Sequence, residues 1–263
     1  MSNAQEQTSH VHPHGLLEQV FDDIWLVRGG WPMPVPFKPR ISRSMTVVRD
    51  AETGNLTLIN SMRLSEQGLA HLESLGPIKH VIRLASMHGA DDGFYRQRYS
   101  ARVWALRGTV YSRGLTADVD EDSSYFEPDE WYDVTTPLPS TGAEVHVMDS
   151  PKLREASILL PRDGGILLSG DFFHNTPRPD EHTNTVAAVA MRAFGLTRPC
   201  NLGVGWVMMC KPSAKDLRGL LDISFEHVLP IHGLPVIGGA KDHYRPAIER
   251  FAKRAPDATT VGA

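Results

Sequence analysis

The sequence predicts an α/β domain in which a two-layered sheet core carries helices on its outside. Two observations point there. Apolar runs of strand length and amphipathic segments of helix length occur in both halves of the 263-residue chain, and no long linker parts the halves. A chain of this length can bury a full core, as one large domain or two small ones. We read residues 1–20 as a flexible polar leader and residues 21–255 as a single domain, with an irregular insertion near 107–143.

The elements follow in order. "DDIWLVRGG" opens with a short strand. "SRSMTVVRD" and "GNLTLIN" flank the turn-rich "AETG" and read as a β-hairpin. "SEQGLAHLESLG" is a helix: Ser65 is its N-cap, Leu69, Leu72 and Leu75 share one face, and Gly76-Pro77 stops it. "IKHVIRLA" is a strand apolar enough to be buried on both faces. After it comes "SMHGADDGFY", where Asp91 and Asp92 stand at the start of a short helix, favoured there by its exposed amides. "ARVWAL" is the next strand. The segment 107–143 mixes acidic, aromatic and proline residues without a period and reads as a lid. Strands return in "AEVHVMD", in the hairpin "ASILLPRDGGILLS" and in "FEHVLPIHG". Helices are expected at 183–194, 213–224 and 240–254.

Bulk properties exclude several function classes. The composition, 41% hydrophobic and 22% charged, is that of an ordinary globular protein. A net charge of -4 and a pI near 6.3 give no electrostatic case for nucleic acid or an anionic membrane. No apolar run approaches the roughly 20 residues of a membrane-spanning helix. The N-terminus lacks the apolar stretch of a signal peptide, so a cytoplasmic location is expected. Cys200 and Cys210 suggest neither a disulfide framework nor a compact zinc motif. His10, His12 and His14 alternate in the leader, where a flexible tail is the expected reading.

Three places carry chemistry. One strand ends in the cluster His88, Asp91, Asp92. Another ends in "LLSGDFF", with Asp171. A third ends in "VLPIHGLPVIGG", with His232. In order, spacing and flanking residues the chain resembles the metallo-β-lactamase fold superfamily over residues 22 to 252, most specifically in "GGILLSGD" and "VLPIHGLPVIGG". The resemblance implies an α/β fold of four layers, an αββα sandwich, with a metal site built from strand ends along one edge.

The departures from that family are informative. Its first metal loop reads His-x-His-x-Asp-His. With Asp91 in the aspartate place, Met87, Gly89 and Asp92 fill the histidine places; with His88 in the second histidine place, Ser86, Ala90 and Asp91 fill the others. The family's next histidine falls about nineteen residues before the Gly-Asp pair, which here is Lys152. In the Asp91 register one metal position loses its ligands, while the other keeps Asp91, Asp92, Asp171 and His232, each able to bind a cation, with His88 beside them. The resemblance thus implies a single divalent metal, zinc by default and iron or manganese as alternatives. Asp91 or Glu155 would manage protons, and Lys152 would replace part of the lost positive charge or polarise a substrate oxygen. The implied activity is metal-dependent hydrolysis of a small ester, lactone or amide. The rival expectation is a non-catalytic member of the fold that has lost its metal and binds a ligand or partner. Self-association is common among such proteins and is an expectation for this one.

Overall fold

The computed structural model describes residues 10–112, 116–119 and 121–256. In chain order the elements are β1 (Glu18–Phe21), β2 (Ile24–Pro32), β3 (Arg40–Arg49), β4 (Leu56–Ile59), α1 (Glu66–Leu75), β5 (Ile78–Arg83), α2 (Asp92–Tyr99), β6 (Arg102–Leu106) and β7 (Glu130–Tyr132). Then follow β8 (Glu144–Met148), β9 (Glu155–Leu160), β10 (Ile166–Ser169), β11 (Phe173–Thr176), α3 (Thr185–Ala193), β12 (Arg198–Leu202), α4 (Val204–Cys210), α5 (Ala214–Gly219), β13 (His227–Leu229), β14 (His232–Gly233) and α6 (Ala240–Ala252).

The first seven strands form one sheet in sequence order, and β13-β10-β9-β8 form a second. A short third sheet, β12-β11-β14, prolongs the molecule beyond the end of β10. Strand alternation builds the layers. On β5, Ile82 faces inward with Ile24, Val48 and Leu106, and these meet Ile158, Leu160, Ile166 and Leu168 of the second sheet. Val81 faces the other way, with Met45, Val47, Leu69 and Leu72 under α1. The outer face of the second sheet, through Leu159 and Leu167, packs with Trp206, Leu217, Tyr244 and Ile248 of α4, α5 and α6. The result is helix, sheet, sheet, helix. Each fully buried leucine on these faces contributes about 1.5–3 kcal/mol relative to exposure.

Local signals explain most of the elements. Ser65 accepts the Gly68 N–H and caps α1. Val47 pairs with Leu58 in the β3–β4 hairpin, and Leu167 with Leu159 in the β9–β10 hairpin. Helix α5 ends at Gly219, short of the expected 224. The segment 107–143 is more ordered than expected where it is described: Tyr111 is fully buried, and β7 adds to the first sheet by pairing Ala105 with Trp131. Arg113, Gly114, Leu115 and Asp120 lie outside the described residues.

Residues 1–9 of the leader also lie outside them. The rest of it is laid against the body of the protein as a strap. Gly30 N–H donates to the Pro13 carbonyl and Gly15 N–H to the Arg28 carbonyl, each at 2.8 Å. His14 Nε2 accepts the Ser65 N–H at 2.8 Å, while its Nδ1–H donates to the Gly15 carbonyl at 2.7 Å. Gly68 leaves room for the ring, since a Cβ there would stand 3.0 Å from its Cε1, and Gly29 leaves room for Met62 and for the His14 Cβ. Among the described residues, no helix is long and apolar enough to cross a membrane.

Candidate metal centre

The second sheet meets the first where Ala156 N–H donates to the Leu84 carbonyl at 3.1 Å, just past β5. The loop that follows is held by Arg83. Its guanidinium donates to the carbonyls of Ser86 (3.1 Å) and Val110 (2.8 Å) and to Thr109 Oγ1 (2.8 Å), and it lies 3.5 Å over the Tyr111 ring. This places His88 Nε2 2.8 Å from Asp171 Oδ1. Asp171 follows Gly170, whose close approach to the Glu155 carboxyl and to the Ala85 Cβ leaves no room for a side chain. His232 comes from β14, in parallel register with His174 of β11. The turn that carries it needs Gly233, at φ +98°, with its backbone against the Asn175 carbonyl.

His232 Nδ1–H donates to the Ser42 carbonyl at 2.7 Å, and its Nε2 lies 3.1 Å from the same Asp171 Oδ1. Because the carbonyl is an acceptor only, Nδ1 carries the proton, and Nε2 of the neutral ring presents a lone pair to a carboxylate oxygen. Two acceptors face each other, and a proton or a cation has to stand between them. One ligand atom from each of His88, Asp171 and His232 lies within 4.8 Å of the others, and among the described residues no other such group of three exists. All three are buried, between 5% and 8% exposed. Burial works to raise the Asp171 pKa, but the two imidazoles outweigh it and hold the carboxyl well below the usual range. Burial lowers His88, against the pull of Asp171. The donor set fits a divalent ion: two imidazole nitrogens and one carboxylate, with one ring fixed by a backbone carbonyl behind it.

Asp91 and Asp92 do not join this group. Asp91 makes no capping bond at the start of α2; its Oδ2 takes Nη2 of Arg43 in an ion pair buried on both sides. Asp92 accepts Ser61 Oγ at 2.6 Å and Tyr111 OH at 2.7 Å, and burial pushes its pKa up. Arg43 shares the face of β3 that carries Met45 and Val47, and Tyr111, the partner of Asp92, belongs to the same buried cluster. Lys152 is half exposed and pairs with Asp118 at 3.3 Å, away from the cluster. Glu155 does border it. Only 2% exposed, it accepts the Phe172 N–H at 3.1 Å, and burial together with the adjacent Asp171 drives its pKa well above the usual value. Its raised pKa stands beside the lowered one of Asp171, so a proton shared between the two carboxyls is held more firmly by Glu155.

Arg43, Ser42 and His174 stand next to the cluster, and His174, three residues past Asp171, was a candidate from the sequence. Arg43 was legible in principle: period-2 alternation sets a charged residue on a core face of β3, which demands a partner. Ser42 acts through its carbonyl, and no residue type announces that. His174 lies with its ring 4.8 Å from His232 and its Nε2 buried without a hydrogen-bond partner; burial, then His232, hold its pKa down to about 3.

No protein-family model matches the sequence, and no curated protein is detectably similar to it. Solved structures are. TMB-1, studied for substrate and inhibitor binding, superposes with a TM-score of 0.61 over 91% of this chain and 99% of its own, at 14% identity. The FIM-1 metallo-β-lactamase of Pseudomonas aeruginosa, in its mono-zinc form, gives 0.60 over 94% and 98%, at 11% identity. The chain has the metallo-β-lactamase fold. A flavo di-iron protein variant from Thermotoga maritima matches at 0.60 and 15% identity over 94% of this chain, which spans 64% of that one. Identities this low establish architecture alone.

Proposed function

We propose that this protein is a metal-dependent hydrolase of a small ester, lactone or amide, working with one divalent cation held by His88, Asp171 and His232. The observation that carries the reading is the His232 ring: its proton is committed to Ser42, so its free lone pair and the Asp171 carboxylate converge on a point that asks for a positive charge. When bound there, the cation supplies Lewis acidity, lowering the pKa of a water ligand and polarising a carbonyl. The chain's own residues do the rest. Ser42 fixes which His232 nitrogen faces inward. Arg83 holds the loop that delivers His88. Glu155, its pKa raised by burial and by the adjacent Asp171, is suited to hand a proton to a leaving oxygen or nitrogen. Two imidazoles and a carboxylate suit zinc, and they suit iron or manganese as well.

The Arg43–Asp91 ion pair favours a second reading, a non-catalytic protein in which a guanidinium has replaced a metal's charge. Metal analysis separates the two. Protein purified without chelators and incubated with zinc, iron(II) or manganese should bind one equivalent, and Asp171→Ala should lose it while keeping its circular dichroism. Failure of the unmodified protein to retain any of the three, or retention of a full equivalent by Asp171→Ala, refutes the metal reading. Hydrolysis of a panel of esters, lactones and amides then tests the activity, which should disappear in the same variant.

A further inference from the structure

A groove of about 680 Å³ runs between the outer face of β8–β9 and α5. Part of its wall is apolar, with Met148, Phe172, Leu220 and Ile223. Its floor is not. His146 and Ser157 stand directly opposite each other on the two strands, and Glu155 is two residues from Ser157 on the same face. A sheet face beneath a helix is ordinarily apolar, because polar groups there need partners. His146 Nε2 has none: the atom is buried and makes no hydrogen bond, and the nearest opposite charge is a Glu144 carboxylate oxygen 3.8 Å away. The rim carries Lys215 and Arg218 against Asp216 and Asp222, so the charges cancel. Asp216 is further engaged by the Ser150 N–H at 2.8 Å.

We propose that this groove binds an uncharged, mostly apolar small molecule through one hydrogen-bonding head group, an amide or an alcohol, seated on His146 and Ser157. The volume suits such a ligand, since small-molecule sites span roughly 300–1,000 Å³ and combine apolar walls with a few convergent polar groups. The charge-balanced rim gives neither a carboxylate nor an ammonium a counter-charge of its own. The proposal does not depend on a metal at the His88 cluster, which the groove adjoins through Glu155 and Phe172.

The test uses the whole protein and three probes of one shape: 4-phenylbutanamide, 4-phenylbutyrate and 4-phenylbutylamine, followed by calorimetry or ligand-observed NMR. The amide should bind saturably, and the two charged probes at least about tenfold more weakly, which is about 1.4 kcal/mol. Gly219→Phe is the decisive variant. Gly219 lines the groove, and a Cβ there meets nothing within 4 Å, so the ring can fill the space without a clash. It should weaken the amide by about tenfold or more, as should His146→Phe, which removes the head-group partner. Absence of saturable amide binding, charged probes that bind equally well, or an affinity unmoved by Gly219→Phe would each overturn the proposal.

Discussion

Removing Asp91 should cost the protein stability rather than metal. The carboxylate is wholly buried and pairs with Arg43, itself 2% exposed. In Asp91→Ala the guanidinium remains in the interior with no counter-charge. Its Nε already lacks a hydrogen-bond partner, and its remaining support is the Trp31 ring at 4.4 Å. Breaking a buried pair by removing one partner costs about 3–5 kcal/mol, most of it the stranded charge. A cation–π contact offsets about 1–2 kcal/mol of that at best. We therefore expect a loss of about 2–4 kcal/mol for Asp91→Ala and a similar loss for Arg43→Met. The double variant should lose much less than the sum, because no charge is left behind, giving a coupling of about 2 kcal/mol or more in a double-mutant cycle. Urea denaturation at pH 7.5 measures all four proteins, with metal content taken on the same samples. Single variants that each cost under about 1 kcal/mol, or that add without coupling, would refute the structural role. Loss of metal from a folded Asp91→Ala protein would return that residue to the metal site.

Two further outcomes follow from the same environments. His174 is held down to about 3, so its folded pKa is depressed and its contribution is present above the unfolded histidine value, near about 6.5, and lost as pH falls below it. Between pH 6.5 and 5 the protein should lose about 2 kcal/mol that a His174→Leu variant does not lose, and equal slopes in urea titrations of the two would contradict this. Gly89→Ala would push a methyl group into the Tyr111 ring, which lies under Arg83 and donates to Asp92; a cost of about 1–3 kcal/mol is expected in thermal or urea denaturation, and a neutral result would mean that the ring is free to move.

Much of this architecture was legible because local chemistry and burial agree. Ser65, the Leu69–Leu72 face and Gly76-Pro77 mark α1 at both ends. The "PRDGG" turn joins β9 and β10, and the β3–β4 hairpin has the expected register. Short strands escaped notice: β11 and β12 are at most five residues long, β14 was read as one strand with β13, and the third sheet that seats His232 exists only through the pairing of β12, β11 and β14. Helix α4 was hidden because "VGWVMMC" opens between glycines and has no polar face to set a period. At the site, the sequence brought out Asp171 and His232 through their turns, and His88 through its place after β5. It could not tell which way Asp91 and Asp92 point, since that depends on Arg43, 48 residues earlier on a strand that pairs elsewhere. Lys152 was placed by counting along the chain, and in the structure its side chain pairs with Asp118 at a half-exposed position.

The leader strap also bears on how the protein is best handled. Leu17 is part of the layer under α1, and His14 occupies the backbone amide of the residue that caps that helix. A shortened version starting at Glu18 would strip a hydrogen-bonded edge from β2, bare the residues that Leu17 covers, and leave the Ser65 amide to water, so unexplained aggregation of such a trimmed protein would have its origin here rather than at the His88 cluster.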